Sequence, residues 1–153
     1  MNIIKKHEFR LTADWNGGGR NGEGRISAGN LDTQISIPKE MGGPGVGTNP
    51  DEMLIGAAAT CYIITLAAML ELRQIPVEKL SLESIGVVGE HKGRPKFERI
   101  THKPHLILGA GVTVEQVEEA KSLIETAERS CMISNALRGN VALSVTAQVD
   151  RVK

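Results

Sequence analysis

The chain has 153 residues, enough for one domain with a core of its own, and its 18 acidic and 18 basic side chains leave no formal net charge. The charges are interspersed and no basic stripe alternates with aromatics, which argues against nucleic acid and anionic membrane surfaces as partners. The opening MNIIKKHEFRL lacks a long apolar core and a small-residue cleavage site, so no secretory leader is expected and the expected compartment is cytoplasmic.

His7, Phe9, Leu11, Ala13 and Trp15 alternate with polar residues at a period of two, predicting a half-buried strand over 7–15. The run Asn16-Gly17-Gly18-Gly19-Arg20-Asn21-Gly22 predicts a turn that lifts Arg20 clear of that strand, where an arginine is by default a solvated loop residue. Further strands over 24–27 and 31–38 complete an antiparallel meander. The link Gly42-Gly43-Pro44-Gly45-Val46-Gly47 lacks the lysine and following hydroxyl of a phosphate-binding loop, and reads as a flexible lead into the next element.

That element, residues 49–73, organises the chain. Asn49 suits the N-cap, Pro50 the first helical position, and Glu52 the returning acid of a capping box. No charge interrupts residues 53–70, and small or apolar side chains occupy every face, so a helix surrounded by protein is expected. A bilayer span is rejected, because the run is small rather than greasy, acids flank it, and no basic cluster fixes a topology. Its small residues invite a sheet or a second copy of the helix to approach closely.

Gln74-Ile75-Pro76 stops the helix. A strand over 77–90 follows, whose alternation slips between Leu82 and Ile85 and suggests a bulge there. A turn at residues 91–95 leads to a second strand over 96–109, with Pro104 placing it at an edge or interrupting it. Thr113 and Gln116 form another capping box for a helix to about Arg129, with Val117, Ala120, Ile124 and Ala127 on its apolar face. The pattern breaks at Ser130-Cys131. A short helix over 132–138 ended by Gly139 and a strand over 141–149 complete the chain.

The two cysteines, Cys61 and Cys131, stand in the central helix and at the helix junction. In a reducing compartment a permanent disulfide is uncommon, which leaves either redox-active thiols or two buried, inert ones. His7, His91, His102 and His105 show no metal-ligand spacing with them, so no metal is expected.

Three separated segments, GGGRNGEGRI, PKEMGGPGVGTNPDEMLIGAAATC and ERSCMISNALRGNVALSV, match the OsmC/Ohr superfamily in order and spacing. The chain resembles its organic hydroperoxide resistance branch. The resemblance implies an α+β, OsmC-like fold of two long central helices packed against bent antiparallel sheets, one domain over 1–153, and an intertwined homodimer. It also implies a cysteine-based peroxidase that needs no cofactor. On that pattern Cys61 matches the peroxidatic cysteine, Cys131 the resolving one and Arg20 the arginine of the glycine-rich turn. Asp51 stands where the family usually has a glutamate, with Glu52 as an alternative partner for Arg20. The implied substrate is an organic hydroperoxide, reduced to its alcohol through a Cys61 sulfenate and a Cys61–Cys131 disulfide. An external dithiol, such as a dihydrolipoyl protein, is implied to reset the site. A non-catalytic relative acting as a redox sensor or small-ligand binder is the alternative. Met132 replaces the family's proline after the resolving cysteine and so removes a ring that would fix the junction.

The chemistry explains these residue types. A thiolate, not a thiol, attacks a peroxide bond, and an ordinary cysteine with a pKa near 8.5 is mostly protonated at neutral pH. Cys61 lies too far along its helix for the dipole to help, so a fixed guanidinium held by a carboxylate is the expected substitute. Asp51 and Cys61 are ten residues apart in one helix, about 15 Å along the axis. A shared polar shell across the dimer is therefore expected.

Overall fold

A computed structural model describes residues 4–153; the first three residues of the segment read for a leader lie outside it. The chain divides into two compact units, Met1–Met53 and Leu54–Lys153.

The first unit carries an antiparallel sheet in the order β1 (Thr12–Asn16), β2 (Glu23–Ala28), β3 (Leu31–Ile35). The strand expected over 7–15 is realised only from Thr12. Its partner turns back at Gly29, where φ is +59°, so the ladder ends at the Thr12–Ser27 pair and Phe9 is left 93% exposed. Likewise β3 stops at Ile35 because the Ser36 N–H turns to Thr48 O at 3.1 Å. The glycine-rich link is pinned rather than flexible. Buried Ser36 Oγ accepts the Val46 N–H at 2.7 Å and donates to Val46 O at 2.9 Å. The N–H groups of Gly43 and Gly45 close onto Pro38 O and Ile37 O.

Helix α1 spans Pro50–Leu72. Asn49 Oδ1 caps it by accepting the Glu52 N–H at 2.9 Å, as its sequence predicts. The Glu52 carboxylate does not complete the box, because Thr48 Oγ1 donates to it at 2.9 Å.

In the second unit a long hairpin, β4 (Val77–His91) and β5 (Arg94–Leu108), is closed by Lys92 and Gly93 with φ of +52° and +76°, the positive pair that suits a right-twisted ribbon. Helices α2 (Val114–Ser130) and α3 (Met132–Leu137) follow, then β6 (Ala142–Val145) and β7 (Gln148–Arg151). Both last strands pair parallel to β5, so this sheet is mixed rather than antiparallel. Pro104 explains why one expected strand became two. β5 is central, and its proline, which has no N–H to give, falls between the stretch 99–102 that pairs with β6 and 105–108 that pairs with β7.

No bulge lies at residues 82–85. The register runs unbroken from Leu80–Leu106 to Val87–Arg99, with shifts only near Val77 and Val87. The apolar alternation slips because Ser84 sits on the inward face opposite His102 and bonds it.

The main core joins Tyr62, Leu66 and Leu70 of α1 to Leu106 and Leu108 of β5 and Ile124 and Ala127 of α2. Helix α2 begins with the expected capping box: Thr113 Oγ1 accepts the Gln116 N–H at 3.1 Å, and Gln116 Oε1 accepts the Thr113 N–H at 2.9 Å. By length and composition α1 is apolar enough to cross a bilayer, and one stripe of it packs against sheet and helix. Within one chain only the stripe Ala58, Tyr62, Leu66 and Leu70 is buried. Gly56, Ala57, Thr60, Ile64, Ala67 and Ala68 remain on the surface. Protein on every side of α1 is thus not achieved by a single chain, because β5 and α2 cover it from one side only.

Candidate active site

Helices α2 and α3 meet at Cys131. Its N–H donates to Ala127 O at 2.9 Å, closing α2, and its sulfur accepts the Ser134 N–H at 3.5 Å, opening α3. Its φ of −67° and ψ of 122° are extended, so the chain changes direction here without the proline ring. The junction carries the first N–H groups of α3 to Cys61, which is half-buried in α1 next to the fully buried Tyr62.

Both thiols are free, and the surroundings split them. Burial pushes the Cys61 thiol up, but hydrogen bonds from the Cys131 thiol, the Ile133 and Met132 N–H groups and the Thr65 hydroxyl outweigh it. Cys61 is held below its ordinary value. Cys131 is fully buried; desolvation, and its proton shared with Cys61, hold it above its ordinary value against the opposing hydrogen bonds of Ser134. The surroundings therefore favour charge on Cys61 over charge on Cys131. Within this unit the donors to Cys61 are the Cys131 thiol, two backbone N–H groups of α3 and the Thr65 hydroxyl.

A buried polar group stands beside the pair. The Tyr62 hydroxyl donates to Ile124 O at 2.9 Å, and its ring stacks on His102 with centroids 4.7 Å apart. Burial, with Glu125, Glu128 and Cys131 adding to it, holds the phenol well above its usual range. His102 Nδ1 meets Ser84 Oγ at 2.7 Å while Nε2 has no partner among the described residues. Burial lowers the His102 pKa, opposed by Glu128, whose carboxylate pairs with Arg138 at 3.0 Å. Tyr62, His102, Ser84, Glu128 and Ser134 were not sequence candidates. A signal existed for His102, since it shares strand parity with Ile100, Pro104, Leu106 and Leu108, all buried.

Arg20 and Asp51 belong to the first unit. Arg20 lies exposed in the turn closed by the Gly22 N–H on Gly18 O at 2.8 Å. Its Nη1 rests over Gly42, where an added Cβ would come within 2.9 Å. Asp51 is half-buried in the first turn of α1. Among the described residues no ion pair joins Arg20 to Asp51 or Glu52.

A polarised dithiol set between a long helix and a helix junction, in an α+β fold, defines a class. The chain matches the model of the OsmC-like protein family over residues 42–146, and it belongs to that family. It is 53% identical over 143 residues to the uncharacterised protein YmaD of Bacillus subtilis, spanning 94% of this chain and 95% of that protein. To the organic hydroperoxide resistance protein of Xanthomonas axonopodis pv. citri it is 29% identical over 139 residues, covering 84% and 87% of the two. The crystal structure of an organic hydroperoxide resistance protein from Elizabethkingia anophelis matches it with a TM-score of 0.76 and 26% identity, over 97% of this chain and 100% of that one. These relatives bear out the resemblance carried by the three sequence segments.

Proposed function

We propose that the protein is a single-domain, cofactor-free, thiol-dependent peroxidase that reduces organic hydroperoxides to alcohols in the cytoplasm. The observation that carries this reading is the pairing of two free thiols, Cys61 in α1 and Cys131 at the α2–α3 junction, with Cys61 lowered and Cys131 raised. The Cys61 thiolate attacks one oxygen of the peroxide; an S–O bond forms, the O–O bond breaks, and the alkoxide leaves as the alcohol after taking a proton. Cys131 then attacks the sulfenic acid, an S–S bond replaces the S–O bond, and water departs. This second step shields Cys61 from irreversible oxidation. An external dithiol, such as a dihydrolipoyl protein, restores both thiols by exchange.

To Arg20 we assign the fork that holds the peroxide oxygens, and to Asp51 the carboxylate that orients it, both carried over from the family pattern. The uncovered face of α1 supports the homodimer: a helix uncharged over residues 53–70 and with small residues outward is suited to packing against a second copy.

One equivalent of an alkyl hydroperoxide is expected to convert the two free thiols of each chain to one intramolecular disulfide, seen by mass spectrometry. Cys61→Ser should abolish peroxide consumption, whereas Cys131→Ser should allow one attack and leave Cys61 to overoxidise. Unmodified thiols in the wild type would overturn the reading. A disulfide that forms without steady turnover with a dithiol would identify a sensor instead.

A further inference from the structure

Ser134 is fully buried, and its hydroxyl has no partner among the described residues. A helical serine with nothing else to do commonly turns its hydroxyl to a carbonyl one turn back. Ser134 does not. It is the third residue of α3, and its N–H is already fixed on Cys131 Sγ at 3.5 Å, so its buried, unpartnered hydroxyl belongs to the residue that anchors this sulfur. In the resting pair that sulfur is a neutral thiol, a weak acceptor, so a costly buried donor is left nearly unused.

We propose that the Ser134 hydroxyl is a donor held in reserve for the second step, taking up the negative charge that develops on Cys131 as this thiol attacks oxidised Cys61. The assignment rests on the peroxidase reading above. In that step the Cys131 proton passes to the departing oxygen of the sulfenic acid, the S–S bond forms as the S–O bond breaks, and one water leaves; no other oxidant or reductant enters. Between loss of the proton and closure of the bond, Cys131 carries charge in a site where burial opposes it. The Met132, Ile133 and Thr65 donors are engaged on Cys61. Ser134 is the side chain placed to serve Cys131.

The test separates the two steps. Reduced protein is mixed with one equivalent of an alkyl hydroperoxide; sulfenate is trapped with dimedone, and disulfide is followed by mass spectrometry. Ser134→Ala should slow disulfide formation about tenfold, the loss of one hydrogen bond to a charged group, and lengthen the sulfenate lifetime while the first step keeps pace. Ser134→Thr, which retains the hydroxyl, should restore the rate, and Ser134→Gly replaces the alanine variant if that fails to fold. A second readout uses no peroxide. In a Cys61→Ser background the Cys131 13Cβ resonance is titrated, and adding Ser134→Ala should move its midpoint upward. An unchanged disulfide rate or an unmoved Cys131 midpoint would overturn the proposal. Absence of both sulfenate and disulfide in the wild type would overturn the peroxidase reading, and the Cys131 midpoint would still decide the role of Ser134.

Discussion

Replacing Met132 by proline deletes one backbone N–H from the shell of Cys61 and disturbs little else. Met132 is the first residue of α3, where a helical N–H has no intrahelical acceptor and proline is well tolerated. Its side chain is 72% exposed. Cys131 before it already has a φ of −67° and a ψ of 122°, the extended conformation that a following proline demands. A hydrogen bond to a charged group contributes about 1.5–3 kcal/mol. Cys61 divides its charge among four donors, and the Met132 N–H ranks behind the Cys131 thiol and the Ile133 N–H. Half to all of the lower figure, about 0.75–1.5 kcal/mol, is therefore its expected share. At a pH below the Cys61 midpoint this reduces the thiolate population, and with it the rate of reaction with peroxide, about three- to tenfold. The assay is ultraviolet thiolate absorbance against pH, reading the lower of the two macroscopic transitions of the pair, together with single-turnover peroxide kinetics at fixed pH. A Met132→Pro protein that melts like the wild type, with its lower transition and its rate unmoved, would refute the claim that α3 holds the thiolate.

Other outcomes follow from the same geometry. Arg20→Ala should slow reaction with peroxide and Arg20→Lys rescue it only in part, because a lysine lacks the planar fork; thermal stability should hardly change, since Arg20 is exposed and makes no ion pair among the described residues, and an unaltered peroxide rate would return Arg20 to the status of a loop residue. Mixing inactive Asp51→Ala and Cys61→Ser proteins under conditions of subunit exchange should recover up to about a quarter of wild-type activity, since half the dimers are hybrids with one intact site; verified exchange without recovery would confine Asp51 to its own chain. His102 gives a pH dependence of stability. Burial lowers its folded pKa, so the unfolded chain binds the extra proton first as pH falls. The stability due to neutral His102 is complete above the unfolded value near 6.5 and is lost below it, by at most about 1.4 kcal/mol per pH unit. Urea midpoints compared at neutral and mildly acidic pH should fall less steeply in His102→Asn, and equal slopes would exclude His102 as the group responsible.

How far the sequence could be read depended on whether a residue's partner lay nearby. Asn49-Pro50 marked the start of α1, and Thr113 with Gln116 marked α2, because caps bond within three residues of themselves. The alternation from His7 to Trp15 misled because a strand needs a neighbour, and β2 ends opposite Thr12. The slip at Leu82–Ile85 looked like a bulge for a related reason. The serine that breaks the apolar pattern answers a histidine 18 positions away. At the site, the cysteines were legible as residue types in a family pattern. The two α3 donors that help tune Cys61 were not, because a backbone N–H leaves no mark in the sequence and reaches Cys61 only through the fold.

That dependence sets the order in which reactivity can arise. Three of the four groups that depress Cys61 lie at the α2–α3 junction, Cys131, Met132 and Ile133, with Ile133 following it by 72 positions. Contacts of such separation form late, since a long loop must close before they return any energy. A chain still being synthesised therefore presents Cys61 as an ordinary thiol, mostly protonated and slow to react, although α1 has already emerged. The β4–β5 hairpin and the capped α2 are local structures that can form ahead of it. The hydrogen bonds of the junction that lower Cys61 form when α3 docks, at the same moment that brings Cys131 alongside. An incompletely folded chain thus lacks both the attacking sulfur and the means to be trapped in a sulfenate with no neighbour to resolve it.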